Sequence, residues 1–327
     1  MKVVVTGGSG FIGSHVADKL RAAGHDPRIL DLAPSPWHAP GEIDTALADL
    51  TDPAAVAEAV RGSDAIVHLA AMADVNEVVG QPERTDAVNT RGTFNLLEAA
   101  RAEGISRLLY ASTIWVYGNA PGAEPHDEDT PLVLPPHLYT ATKLAGEMYC
   151  RSFAELYGLQ QVTLRFGIPY GPRSRRAAVV AAFVERARTG QPLVIAGDGS
   201  QARQFVHVKD LAQGVVAALE DDVAPGVYNL VGPESVTIRD VAKHVKELVL
   251  DVPTVHIEAR KADVKLRPVS GERATRVLGW SPRTPFDEGV RDYVDWVNET
   301  SGSPRAVADS MIAGRAAVVL RQEPEAL

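Results

Sequence analysis

The chain has 327 residues, 45% of them hydrophobic and 23% charged, the balance of an ordinary soluble globular protein. Its one cysteine, Cys150, excludes an intramolecular disulfide and any thiolate-rich metal site, and fits a reducing, cytoplasmic setting. With 33 Lys and Arg against 42 Asp and Glu, the net charge of −9 repels nucleic acid and anionic membrane surfaces. No apolar run nears the ~18 residues that a bilayer span needs, and Met1–Val5 is too short for a signal-peptide core.

Taken in chain order, short β-branched runs alternate with helical stretches. Lys2–Thr6 reads as a strand. Phe11, Ile12, Val16 and Leu20 have helical spacing, and Gly24 ends that helix. Arg28–Asp31 and Ala46–Asp49 read as strands two and three. Pro53–Val60 is a helix with Asp52 or Thr51 as N-cap. Ala65–Ala70 is a buried strand, Val88–Glu103 a long helix and Arg107–Ser112 a further strand. His137–Tyr157 is helical and Gln161–Phe166 a strand.

Repeated strand and helix from the first residue predict an α/β fold, a Rossmann-like doubly wound parallel sheet with helices on both faces. After Pro169 the pattern loosens, apart from a helix at His207–Leu219. Residues 1–169 with 207–234 are expected to form the dinucleotide-binding domain. Residues 170–206 with 235–297 are expected to form a smaller C-terminal substrate-binding lobe. Residues 298–327 begin with a linker composition and have no assigned role.

Thr6-Gly7-Gly8-Ser9-Gly10-Phe11-Ile12-Gly13 closes the first strand and opens the first helix. Glycines there permit a tight turn, close approach of a pyrophosphate, and tight helix–sheet packing. The helix N-terminus offers N–H groups and partial positive charge. Asp31 lies 18 residues beyond Gly13, at the end of the second strand. A carboxylate there bonds the adenosine ribose and repels a 2′-phosphate, and Leu32–His38 holds no Arg or Lys, which favours NAD over NADP.

Tyr139-Thr140-Ala141-Thr142-Lys143 puts a phenol and an ammonium on one helix face. A nearby ammonium is expected to lower the phenol from its usual ~10 towards use as a base. Ser112 or Thr113, at a strand end, is placed to bridge a substrate hydroxyl to Tyr139. His68 lies on a core strand and reads as buried structure, and the histidines show no metal-ligand spacing. Trp115 reads equally as a sugar contact or as packing.

Thr6–Gly13, Asp31, Asp49-Leu50, His68-Leu69-Ala70-Ala71, Asn89, Ser112-Thr113 with Val116-Tyr117-Gly118, and Tyr139 with Lys143 follow in order. On these residues the chain, up to about Trp296, resembles the extended short-chain dehydrogenases/reductases, in their NAD-dependent epimerase/dehydratase branch. The resemblance implies that Gly7, Gly10, Phe11, Ile12 and Gly13 hold the pyrophosphate. Asp31 would take the adenosine ribose, and Asp49 and Leu50 would flank the adenine. Leu69, Ala70 and Ala71 would pass beneath the cofactor, with Asn89, Ser112, Tyr139 and Lys143 around it. Thr113, Tyr139 and Lys143 would be catalytic. Arg203, Arg260 and Asp263 would meet a nucleotide diphosphate and its ribose, with Thr113 and Tyr139 on the sugar. A homodimer through Val88–Glu103 and His137–Tyr157 is implied by the same analogy.

The implied reaction is 4-epimerisation of a sugar nucleotide, of the UDP-glucose 4-epimerase type. The alternative is a dehydrogenase or reductase making a net redox change on a sugar nucleotide or another alcohol. Two departures from the family bear on this. The 4,6-dehydratases carry an acid just after the catalytic Thr, where this chain has Ile114-Trp115. Ile168 stands where relatives have a sugar-nucleotide-contacting Asn.

Overall fold

A computed structural model describes residues 1–121, 125–259 and 267–300. Lys2–Thr6 (β1), Asp26–Asp31 (β2), Asp44–Leu47 (β3), Ala65–His68 (β4), Arg107–Thr113 (β5) and Gln160–Phe166 (β6) join Gly226–Leu230 in one seven-stranded sheet. The spatial order is Gly226–Leu230, β6, β5, β4, β1, β2, β3, and every pairing is parallel.

Helices cover both faces, so the inner strands are apolar on both sides. On one face Val3, Val5, Val67 and Leu109 pack with Val16 and Leu20 of helix Phe11–Ala22 and with Leu211 and Val215 of helix Val208–Ala217. On the other, Val4, Ile66 and Leu108 pack with Val56, Leu96, Leu97 and Phe153. Each such side chain contributes ~1.5–3 kcal/mol of burial. The chain leaves β1 and β4 towards opposite flanks. A crevice therefore opens at their C-terminal ends, where the glycine turn and Leu69 stand.

The expected elements are present, with shifts. The third strand is Asp44–Leu47 rather than Ala46–Asp49, and β4 stops at His68. Asp52 caps Pro53–Val60, accepting from the N–H groups of Ala54 and Ala55. The expected helix at Val88–Glu103 is a π-turn, Ala87–Arg91, running into helix Gly92–Glu103. The last helix, Phe286–Thr300, extends past the expected linker start at Asn298. Gly226–Leu230, which the sequence pattern does not mark as an element, is the seventh strand of the sheet.

A second core gathers Tyr170, Phe183, Leu193 and Phe205 with Val241, Val245, Phe286 and Tyr293. The chain enters it through Gly171-Pro172-Arg173. Arg173, with φ of 66°, is the one non-glycine among the described residues at positive φ. Its Nη1 donates to Asp18 Oδ2 (2.8 Å) and its guanidinium covers the Trp37 ring at 5.5 Å. His15 Nε2 meets the Pro172 carbonyl at 2.9 Å, so helix Phe11–Ala22 grips both residues.

Candidate active site

The glycine turn lies against the loop after β4. Gly7 has φ of +70°, and a Cβ there would stand 2.9 Å from Ala70 Cα. A Cβ on Gly13 would meet the Gly7 carbonyl at 2.2 Å. Gly10 differs, because it is exposed and begins helix Phe11–Ala22 with no side-chain cap. The first-turn N–H groups are therefore left to an outside acceptor. Asp31 ends β2 beside this turn, its Oδ2 accepting from Ser9 N–H (3.0 Å) and its Oδ1 from Leu32 N–H (2.7 Å). Burial pushes its carboxyl up, and these N–H groups pull it back.

Thr6, the last residue of β1, organises the crevice floor. Its Oγ1 accepts from the N–H groups of Leu69 and Ala70, both at 3.1 Å. The Thr6 hydroxyl proton then goes to His68 Nδ1 (2.7 Å), which assigns the other ring proton to Nε2. Nε2 donates to Thr93 Oγ1 (2.9 Å), and Thr93 donates to the Asn89 carbonyl (2.6 Å). Burial, then the charge of Lys143, lowers the His68 pKa to about 3 and keeps the ring neutral. The π-turn directs the Asn89 side chain inwards, where its amide bonds both Met72 N–H and C=O and reaches Thr142 Oγ1 (3.1 Å).

Thr113 ends β5 and begins the turn Ile114–Tyr117, its Oγ1 accepting from Trp115 N–H (3.3 Å). Tyr139 and Lys143 share a face of helix Leu138–Tyr157. Lys143 Nζ donates to the Ala111 carbonyl (2.9 Å) and lies 5.1 Å from the Tyr110 ring centroid. The expectation that Lys143 lowers the Tyr139 phenol is not met in this arrangement. Burial pushes Tyr139 up to about 12, and the cation that opposes this is Arg175. Burial also lowers Lys143 to about 8. Arg175 also faces Asp74 across the cleft, at 3.7 Å.

Ser112, expected at the ligand, has its hydroxyl turned away from Thr113 and bonded to buried Glu147. Its backbone is what remains for a ligand. Glu147 also takes Nε (3.0 Å) and Nη2 (2.7 Å) of Arg165. Arg165 Nη1 donates to Tyr117 Oη (2.9 Å), which donates to Asn229 Oδ1 (2.8 Å). Reading the sequence misses this network, although Tyr139, Lys143 and Glu147 follow one another at four-residue steps.

The model of the family described as "NAD dependent epimerase/dehydratase family" matches residues 3–231. The chain belongs to that family. Three similar proteins show its range. A trifunctional UDP-glucose 4,6-dehydratase/3,5-epimerase/reductase of Arabidopsis thaliana is 32% identical over 321 residues. That match covers 91% of this chain and 47% of the relative, so the chain spans about half of that protein. UDP-glucuronic acid decarboxylase 1 of Danio rerio is 31% identical, covering 90% of this chain and 72% of the relative. The structure of a Thermus thermophilus UDP-glucose 4-epimerase in complex with NAD superposes with a TM-score of 0.84 at 36% identity, covering 91% and 99% of the two chains.

Like its family, the chain depends on NAD. The observed turn fits that cofactor: packed glycines at 7, 8 and 13, an exposed uncapped one at 10, and a carboxylate alongside. Asp49 is placed differently from a free adenine neighbour. It is held by Thr51 and by Arg84 Nη2 (2.6 Å), while Leu50 is buried and gives its carbonyl to Asn95. In the second lobe the Arg203 guanidinium covers the Trp115 ring at 5.6 Å and bonds the Ala202 carbonyl. Ile168 packs against the second core, a role that the family's Asn would fill poorly. Arg260 and Asp263 lie outside the described residues.

Proposed function

We propose that this family member is a sugar-nucleotide 4-epimerase of the UDP-glucose 4-epimerase type. The observation that carries the reading is the turn after Thr113. A 4,6-dehydration must protonate a leaving hydroxyl. Ile114 is buried, Trp115 carries an indole, and the Tyr117 hydroxyl is spent on Asn229 and Arg165. No side chain of this turn offers an acidic proton. What remains is a set suited to reversible oxidation of one alcohol: Thr113, Tyr139 and Lys143.

In this reading Gly7–Gly13 and Asp31 hold NAD, and Lys143 bonds the ribose beside its reactive ring. Bound NAD supplies a hydride acceptor and then a donor. Thr113 and Tyr139 hold the sugar C4 hydroxyl. Arg175, together with the positive ring of bound NAD, offsets the burial that holds the Tyr139 phenol up, so that Tyr139 takes that proton and returns it after the 4-keto sugar has turned in the pocket. The proton never needs to reach solvent, which suits a half-buried phenol. Arg203 meets the diphosphate from the lobe side and so sets the sugar across Trp115.

The same reading takes the molecule to be a cytoplasmic homodimer through helices Gly92–Glu103 and Leu138–Tyr157. Met148 and Leu156 of the latter helix are 57% and 71% exposed. No helix among the described residues is long and apolar enough to cross a membrane.

The test is to incubate purified protein with UDP-glucose, UDP-N-acetylglucosamine and UDP-glucuronate, without added cofactor. A 4-epimer from at least one supports the reading. In a parallel incubation with added NAD⁺, NADH formed in step with substrate consumed would select a net dehydrogenase instead, and a 4-keto-6-deoxy product would restore dehydration.

A further inference from the structure

Tyr139, Lys143 and Glu147 occupy successive turns of one helix face. Glu147 is buried, and the groups that its carboxylate bonds come from other elements: Ser112 from β5, and Arg165 twice from β6. The fork-to-carboxylate geometry is charge-assisted and directional. Through Tyr117 and Asn229 the same network reaches the turn after Thr113 and the sheet edge.

A buried ion pair is weak evidence for stability alone, because an apolar pair of similar volume often serves as well. Two features of placement give this one a further task. Ser112 directly precedes Thr113, and strand side chains alternate in direction. Anchoring Ser112 on Glu147 thus fixes the peptide that turns Thr113 to the cleft.

The second feature is electrostatic. The groups that act on Lys143 are Cys150 and then Glu147 on its own helix, while His68 from β4 and Tyr110 from β5 lie against its ammonium. Asn89 and Thr142 nearby are uncharged. His68 is held neutral, and burial pushes Tyr110, Tyr139 and Cys150 further from ionisation. Arg165, from β6, is matched by Glu147 itself, and Arg175 faces Tyr139. Glu147 is therefore the carboxylate, among the described residues, that acts on the Lys143 ammonium.

We propose that Glu147 is a positioning residue of the reaction: held by Arg165 and Ser112, it fixes the strand end that presents Thr113 and holds a carboxylate one turn from Lys143 on the same helix face. The proposal rests on Thr113, Tyr139 and Lys143 being the reacting set.

The test reads Lys143 without any sugar nucleotide. NAD-loaded protein carrying lysine with ¹³C at Cε is titrated by NMR, the Lys143 signal being assigned with Lys143→Arg. In Glu147→Gln the Lys143 midpoint falls by about one pH unit or more, the effect of losing one close opposite charge. A second measurement follows 4-epimerisation. There kcat falls about 10- to 100-fold, with KM within about twofold, as expected from a misplaced reacting group. Ser112→Ala, which keeps the ion pair, lowers kcat less and leaves the Lys143 midpoint in place.

If Glu147→Gln fails to fold, Glu147→Gln with Arg165→Met leaves no unpaired buried cation. The Lys143 midpoint then moves less, because a positive charge is lost with the negative one, and the fall in kcat from an unanchored Ser112 is the expected readout. An unmoved Lys143 midpoint in folded Glu147→Gln overturns the proposal, as does a wild-type kcat in the folded double variant, or a kcat loss fully accounted for by lost NAD or unfolded protein. If the wild-type protein epimerises nothing, the titration still decides the role of Glu147, and it is the epimerase reading that fails.

Discussion

Gly146 backs onto the ring of Tyr110, and a Cβ at Gly146 would stand 2.1 Å from the Tyr110 hydroxyl oxygen. That hydroxyl donates to the Lys143 carbonyl (3.2 Å), so the contact fixes how closely helix Leu138–Tyr157 sits on β5. Gly146→Ala is expected to cost about 1–3 kcal/mol by overpacking, measured by urea unfolding. It should also lower kcat, since the helix must lift with Lys143 on it. Adding Tyr110→Phe removes the clashing oxygen and should recover part of the stability. If Gly146→Ala were neutral by both measures, the close seating would carry no function.

Tyr139→Phe should abolish turnover, a loss of about 10²–10⁴-fold for one acid–base group, while co-purified NAD stays at the wild-type level. Single-turnover assays and cofactor extraction separate the two. Surviving activity would move the base to another residue.

Two buried histidines make stability sensitive to acid. Burial lowers His68 from 6.5 to about 3 and His15 from 6.5 to about 4. Both are neutral in the folded chain and take up protons more readily once unfolded. Below pH ~6.5 the unfolded state binds more protons, so stability falls as pH drops towards 4 and then 3. Urea midpoints measured from pH 7.5 to pH 4.5 should decline. In His68→Gln, which keeps a polar group between Thr6 and Thr93, the decline should be shallower. An equal slope would place the acid sensitivity elsewhere.

Asp31→Ser should empty part of the cofactor site. The carboxylate that braces Ser9 is lost, and with it the ribose contact and the repulsion of a 2′-phosphate that the proposed cofactor placement assigns to it. NAD recovered from purified protein should fall, and NADP should begin to compete in a binding titration. Unchanged NAD content with NADP still excluded would remove Asp31 from cofactor selection.

Much of the sheet was legible because buried parallel strands are written as apolar runs such as Lys2–Thr6 and Ala65–His68. The glycine turn was legible because its chemistry is local: each glycine answers a contact within a few residues or a φ of its own. What escaped depends on distant pairing. Glu147 reads as one more helical acid until Arg165 and Ser112 are seen closing on it. Strand Gly226–Leu230 goes unmarked in the sequence until β6 lies beside it. The break at Ala87–Arg91 follows from Asn89 reaching Met72, a partner 17 residues away. Lys143 looks like the partner that tunes Tyr139, but the Ala111 carbonyl claims its ammonium. Arg175, whose charge acts on Tyr139, lies 36 residues downstream with no motif to mark it.

Arg173 holds a left-handed backbone that costs roughly 1–2 kcal/mol in an L-residue, and it keeps it by gripping Asp18 and Trp37. The strained residue thereby ties the two cores of the molecule together through Asp18, which sits on the helix that begins beside Gly10. Losing the grip would let that backbone relax, so the relaxation would offset part of what the contacts contribute.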